Sequence, residues 1–210
     1  MLEENNTRRT VHQCSPSEAR KTLGVHIAPD GNMNSQIEAM LSASEAFSTK
    51  LKHSRLSGCD ALHSFNTRIM KTLTYPLPTS MLTEVDCNKI MSPTIHSVLG
   101  KAKIVRSIKR DVLYGPLQYQ GFGLTNLHVC QGSMQLAQLV QFCNTNTELG
   151  KIHNITLQNL ILEVGLTGVP FQHDYAVLHN CATDSQMKHI WKFCYTQHQN
   201  TLNNKPSQTV

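Results

Sequence analysis

The sequence predicts a mainly α protein: a short N-terminal β-hairpin, then a helical bundle, then a smaller C-terminal helical subdomain. Three observations carry this. Apolar residues recur at three- and four-residue intervals in several separate segments, which places them on single helix faces. Alternation with a period of two is confined to Leu23, Val25 and Ile27. Glycine and proline mostly fall between the periodic segments, where they punctuate. A chain of 210 residues with 40% hydrophobic and 16% charged residues has the length and composition to bury a core without disulfides or metals.

The elements follow in order. Residues 1–12 are polar and aperiodic and read as a leader outside the fold. Residues 13–33 hold the hairpin: Lys21 to Ile27 reads as strand, closed by a turn at Pro29-Asp30-Gly31. Residues 34–100 are the bundle. Its first helix starts on a capping-box pattern, Ser35 with Glu38, and carries Ile37, Met40, Leu41, Phe47 and Leu51. A second amphipathic segment, with Leu62, Phe65, Ile69 and Leu73, must stop near Tyr75, because Pro76 and Pro78 follow. Two helices so closely linked are expected to pack antiparallel. A third is capped by Thr83 and Asp86 and runs through Cys87, Ile90 and Met91. Pro93 is expected to kink or end it before Ile95, Val98 and Leu99, and Gly100 to stop it.

Residues 101–130 form a basic, glycine-rich link, expected to be looped or extended. Residues 131–199 supply three more helices: Met134 to Cys143, Ile155 to Val164 ending at Gly165, and Ser185 to Tyr195 capped by Thr183 or Asp184. Residues 200–210 read as a disordered tail. The predicted inward positions are Ile37, Leu41, Phe47, Leu62, Phe65, Ile69, Leu136, Val140, Leu160, Ile161, Ile190 and Trp191.

Composition and motifs exclude much. No signal-peptide pattern and no run of membrane-span length occurs, so the sequence reads as an intracellular protein, nucleus and cytoplasm undistinguished, with no membrane partner. Cysteines 14, 59, 87, 130, 143, 181 and 194 are scattered and never form C-x-x-C, which speaks for buried free thiols. Cys181, His189, Cys194 and His198 lie near one another, and His128 near Cys130, but at spacings that fit no zinc finger or knuckle, so no metal and no cofactor is expected. A Walker loop, a dinucleotide fingerprint and a serine elbow are all absent. A Cys–His nucleophile is supported by composition alone.

The formal charge is +5, and its distribution is uneven: Lys101, Lys103, Arg106, Lys109 and Arg110 fall within ten residues. Such a run suits a polynucleotide backbone, whose binding is electrostatic and sequence-independent; the commoner role of a charge run is a solvated face. Tyr114, Tyr119 and Phe122 follow it, placed either to stack on bases or to seal a turn.

An ordered series of phrases carries a resemblance. Ser17-Glu18-Ala19-Arg20-Lys21-Thr22-Leu23-Gly24-Val25 closes with Ala28-Pro29-Asp30-Gly31. Then come Tyr75-Pro76-Leu77-Pro78, Cys87-Asn88-Lys89-Ile90 with Ser92-Pro93, and Val112-Leu113-Tyr114-Gly115-Pro116 leading to Tyr119-Gln120-Gly121-Phe122-Gly123-Leu124. From about Val11 to Trp191 this resembles the region after the palm in reverse transcriptases of non-LTR retrotransposons. The resemblance implies that Leu23, Gly24 and Val25 belong to a primer-grip hairpin, that residues 34–100 are thumb-like, and that the partner is an RNA or DNA duplex. It also implies that the palm lies before residue 1 or on a separate polypeptide. The sequence contains no adjacent pair of Asp residues, and two-metal phosphoryl transfer requires clustered carboxylates. Asp60, Asp86, Asp111, Asp174 and Asp184 are isolated and read as caps, turns or solvated positions. The expected function is thus a catalytically inert fragment of an RNA-directed DNA polymerase that binds nucleic-acid backbone. The alternative is a degenerate transposon remnant with no selected role.

Overall fold

The computed structural model describes residues 15–203. The leader at residues 1–12, Cys14 and most of the tail at residues 200–210 lie outside the described residues. The chain is mainly helical, with a two-stranded antiparallel hairpin ahead of a helical bundle and further C-terminal helices.

Strands β1 (Arg20–Thr22) and β2 (Val25–Ile27) pair with Lys21 opposite His26. The turn between them is Leu23-Gly24, with φ of 49° and 88°. Two consecutive positive φ values match the right-handed twist of the strands they join. Leu23 is therefore not a strand residue, as the alternation suggested; it sits 87% exposed at the tip. The hairpin is fastened at both ends: the His26 N–H donates to Gln36 Oε1 at 2.8 Å, and the Tyr75 hydroxyl donates to the Leu23 carbonyl at 2.8 Å.

Helix α1 (Asn34–His53) begins without the predicted capping box. Its N-cap is Met33, and Asn32 Oδ1 accepts the Asn34 N–H instead. The second amphipathic segment is α2 (Gly58–Ser64), a π turn at Phe65–Ile69 and α3 (Met70–Thr74), ending before Pro76. The π turn inserts an extra residue, which brings Phe65, Ile69, Met70 and Leu73 all to the interior.

Helix α4 (Glu84–Lys101) has the predicted Thr83–Asp86 capping box but continues unbroken past Pro93, ending one residue after Gly100. Proline removes one helical hydrogen bond. Burial of Met91, Thr94, Ile95, Val98 and Leu99 around it outweighs that loss. The helix ends in a Schellman arrangement: the Ile104 N–H reaches the Leu99 carbonyl and the Lys103 N–H reaches Gly100, with Lys103 in the left-handed region at φ 57°.

The main partner of α1 is α4, not the antiparallel neighbour expected from the short link. Ser44 Oγ lies 2.6 Å from Thr94 Oγ1, Ser48 bonds Ser97, and Lys101 Nζ donates to the Ser54 carbonyl at 2.6 Å. Because the partner numbers rise together, the two helices run parallel. Small hydroxyl residues let their backbones approach, and each buried hydroxyl finds its partner across the seam.

After α4 come one turn of helix, α5 (Arg110–Tyr114), and a 3₁₀ turn at Leu117–Tyr119. The segment then folds back, with Phe122 N–H on the Val112 carbonyl and Leu124 N–H on Leu113. Leu113, Leu124 and Leu127 join the same core as the bundle. Helix α6 (Leu127–Cys143) starts seven residues before the predicted Met134, and α7 (Glu148–Val164) also starts earlier than predicted. The early turns of α6 are buried through glutamines: Gln131 exchanges two hydrogen bonds with the Leu82 backbone, and Gln135 donates to the Ser80 carbonyl at 2.7 Å.

Helices α8 (Tyr175–Leu178) and α9 (Gln186–Asn203) complete the chain. Ser185 Oγ, rather than Thr183 or Asp184, takes the first-turn N–H, that of Lys188. A second core forms from Leu139, Leu160, Ala182, Met187, Ile190 and Trp191. Of the predicted inward positions, Phe65, Ile69, Leu160, Ile190 and Trp191 are buried, and Ile37, Leu41, Phe47, Leu62, Leu136 and Ile161 are half-buried. Val140 is not inward: it is 56% exposed.

Candidate nucleic-acid interface

The basic run is the connection between α4 and α5. Lys101 closes the last turn of α4 and spends one ammonium proton on the end of α1. Lys103, Arg106, Lys109 and Arg110 are exposed, and none of the four makes an ion pair among the described residues. Arg110 donates to the Tyr114 hydroxyl at 3.2 Å, which orients its guanidinium. Tyr114 and Phe122 pack against the first core, whereas Tyr119 is 77% exposed. The segment is thus a cationic loop whose base is fixed by the Schellman turn and by Lys101.

Leu23, Gly24 and Val25 form the tip of the hairpin and the start of β2. A side chain at Gly24 would stand 3.3 Å from Tyr75 Cε1, so the close approach this glycine permits within the fold is to Tyr75.

The trough beside the hairpin has no contiguous signature in the sequence. One hollow of about 470 Å³ is bounded by the hairpin, α1 and α3 and includes Lys21, His26, Ala39, Lys71 and Tyr75. A second, of about 340 Å³, lies between α1 and the π turn and includes Ala46, Lys50 and Arg68. Ala43 and Thr72 line both, so the hollows are neighbours on either side of this pair. No Asp or Glu lines either one. The signal was dispersed: Lys21, Lys50, Arg68 and Lys71 belong to separate elements, and only the packing of α3 beside α1 gathers them.

The carboxylates do not converge. Asp60 and Asp86 sit in the first turns of α2 and α4 on Ser57 and Thr83, Asp174 accepts the Ala176 N–H at the start of α8, and Asp184 stands 3.4 Å from His189. No group of three or more His, Cys, Asp or Glu among the described residues is placed to hold a metal ion. Cys181 is exposed, while Cys194 is half-buried against the second core. The Cys87 thiol is pushed up to about 12 by burial, reinforced by Asp86 and Glu84, which makes it a poor nucleophile. No helix among the described residues is long and apolar enough to cross a membrane. Compared with protein-family models, curated proteins and solved structures, the chain matches none of them.

Proposed function

We propose that this chain acts as a non-sequence-specific binder of nucleic-acid backbone, a thumb-and-connection fragment of a non-LTR-type reverse transcriptase that is catalytically inert by itself. The observation that carries the reading is the α4–α5 loop: Lys103, Arg106, Lys109 and Arg110 are solvent-facing and make no ion pair among the described residues, on a base held by Lys101. Cations in that state release counterions from a duplex when they meet its phosphates. The order of elements adds support, because a hairpin seated on the first helix of a bundle is what the resemblance implies for a primer grip and thumb. A palm on a separate polypeptide would supply the carboxylates that this sequence lacks.

The test is a titration of a fluorescent blunt duplex at several salt concentrations. Affinity should fall linearly on a log–log plot, and the Lys103→Glu/Arg106→Glu/Lys109→Glu variant should flatten the slope by about 0.9 for each phosphate no longer neutralised. Binding without a salt slope would sink the reading, and no binding even at low salt would leave the transposon-remnant alternative. Nucleotide incorporation by the purified chain with magnesium or manganese would overturn its inertness.

A further inference from the structure

We infer that the trough between the hairpin, α1 and α3 is a binding site for a single polynucleotide strand, distinct from the duplex-facing α4–α5 loop. The inference rests on the reading of the chain as a nucleic-acid binder and assigns a second, different substrate to a second surface.

Four features point to a strand. The rim is cationic, with Lys21 at the hairpin end, Lys71 and Arg68 along one wall and Lys50 at the far end. None of these four makes an ion pair among the described residues, and His26 adds an imidazole. The floor is lowered by Ala39, Ala43 and Ala46, spaced four and three residues apart on one face of α1. The two hollows follow one another along α1: their lining on that helix runs from Gln36 to Leu51, about 22 Å at the rise of a helix, or about six nucleotides at stacked spacing.

Tyr75 supplies the fourth feature. It is 62% exposed and lines the trough, and its hydroxyl is tied to the Leu23 carbonyl, which fixes the ring. A fixed exposed ring among lysines is a stacking platform for an unpaired base, and cations spaced along a groove track the phosphates. A duplex hides its base faces, and hollows of 340 and 470 Å³ are the size of small-ligand sites, so a duplex would reach only their rims. An acidic peptide would satisfy the cations but leave the ring without a planar partner.

The experiment titrates the full chain with a fluorescent octathymidylate and, separately, with a blunt duplex, while melting curves monitor folding. Arg68→Glu/Lys71→Glu should weaken octathymidylate binding at least tenfold at low salt and reduce the salt slope by about 1.4, the value for two single-strand phosphates. Lys192→Glu, a charge reversal at an exposed position of α9 that lines neither hollow, should leave it unchanged. Ala43→Leu, which fills the floor without altering charge, should weaken it similarly. Tyr75→Leu should cost about tenfold, and Tyr75→Phe, which keeps the ring but loses its tie to Leu23, should cost less. Octathymidylate binding that survives both the charge reversal and Ala43→Leu overturns the inference, as does equal competition by polyglutamate, which would make the trough a peptide site. Duplex binding with no octathymidylate binding removes the trough and leaves the function proposed above. The reverse result removes that function and keeps the trough.

Discussion

The cores on either side of α6 are closed in different ways. Around α1 and α4 the closure is a parallel seam of hydroxyls, Ser44 on Thr94 and Ser48 on Ser97, laid over a large cluster that extends from Met40 to Leu127. Around α7 and α9 it depends on one aromatic, Trp191. Its indole N–H donates to the His173 carbonyl at 3.2 Å, and the Tyr175 ring meets it edge-on with centroids 5.1 Å apart. The first region distributes its burial over many side chains; the second concentrates it. Loss of a single residue should therefore have different reach in the two.

The largest expected effect follows directly. Trp191→Ala removes the central side chain of the second core and should cost about 3–5 kcal/mol, the range for deleting a buried large aromatic. Because α1–α4 have their own core, hydrogen exchange should show α7–α9 opening while α1 and α4 keep their protection. Phe65→Ala, at the π turn of the first core, should cost a similar amount but lower protection throughout, since α6 is anchored on that core through Gln131 and Gln135. Uniform loss of protection in Trp191→Ala would mean that the two cores unfold as one.

The same contrast explains what was legible in the sequence. Helices with apolar anchors, Phe65, Ile69, Leu160 and Ile190 among them, were readable because hydrophobic periodicity reports burial of hydrocarbon. The α1–α4 pairing was not, because the buried positions that bond across it are Ser44, Ser48, Thr94 and Ser97, residues that look like surface in a hydropathy pattern. The early start of α6 was hidden for the same reason, since Gln131 and Gln135 are buried by bonds to a turn distant in sequence, at Ser80 and Leu82. Val140 failed in the opposite direction: it is apolar, at helical spacing, and exposed. Of the candidate sites, the α4–α5 loop was contiguous and therefore visible, whereas the trough exists only through tertiary packing.

A smaller effect should appear on acidification, again in the second region. Burial lowers the His128 pKa, with Glu84 opposing and Lys192 assisting. The Glu163 carboxyl is held below its ordinary value mainly by the Thr183 N–H, at 3.0 Å, and also by the Thr183 hydroxyl. Both groups bind protons more readily when unfolded. Each therefore contributes stability that is complete above its unfolded pKa and is lost as pH falls through the folded one. For His128 that loss begins below about 6.5, and for Glu163 it begins in the carboxylate range. Protection of α7 and α9 should thus fall in two steps as pH is lowered. Glu163→Gln should abolish the acidic step alone; a profile unchanged by that substitution would show that the α7–Thr183 link carries no pH dependence.

The smallest effect concerns the outer face of α7. Leu149, Ile152, Ile155 and Leu162 are between 45% and 78% exposed, so the helix is apolar on the side away from its core as well as toward it. Among the described residues, the exposed face of α1 in the first region is instead charged, carrying Glu38, Glu45 and Lys52. An exposed side chain away from caps and cores contributes little, so Ile155→Lys should change unfolding free energy by no more than about 0.5 kcal/mol at any protein concentration. Burial of an isoleucine is worth about 1.5–3 kcal/mol. A cost of that size in denaturant titrations would place Ile155 in a covered environment in solution, and the second core would then extend across α7 rather than end at Leu160.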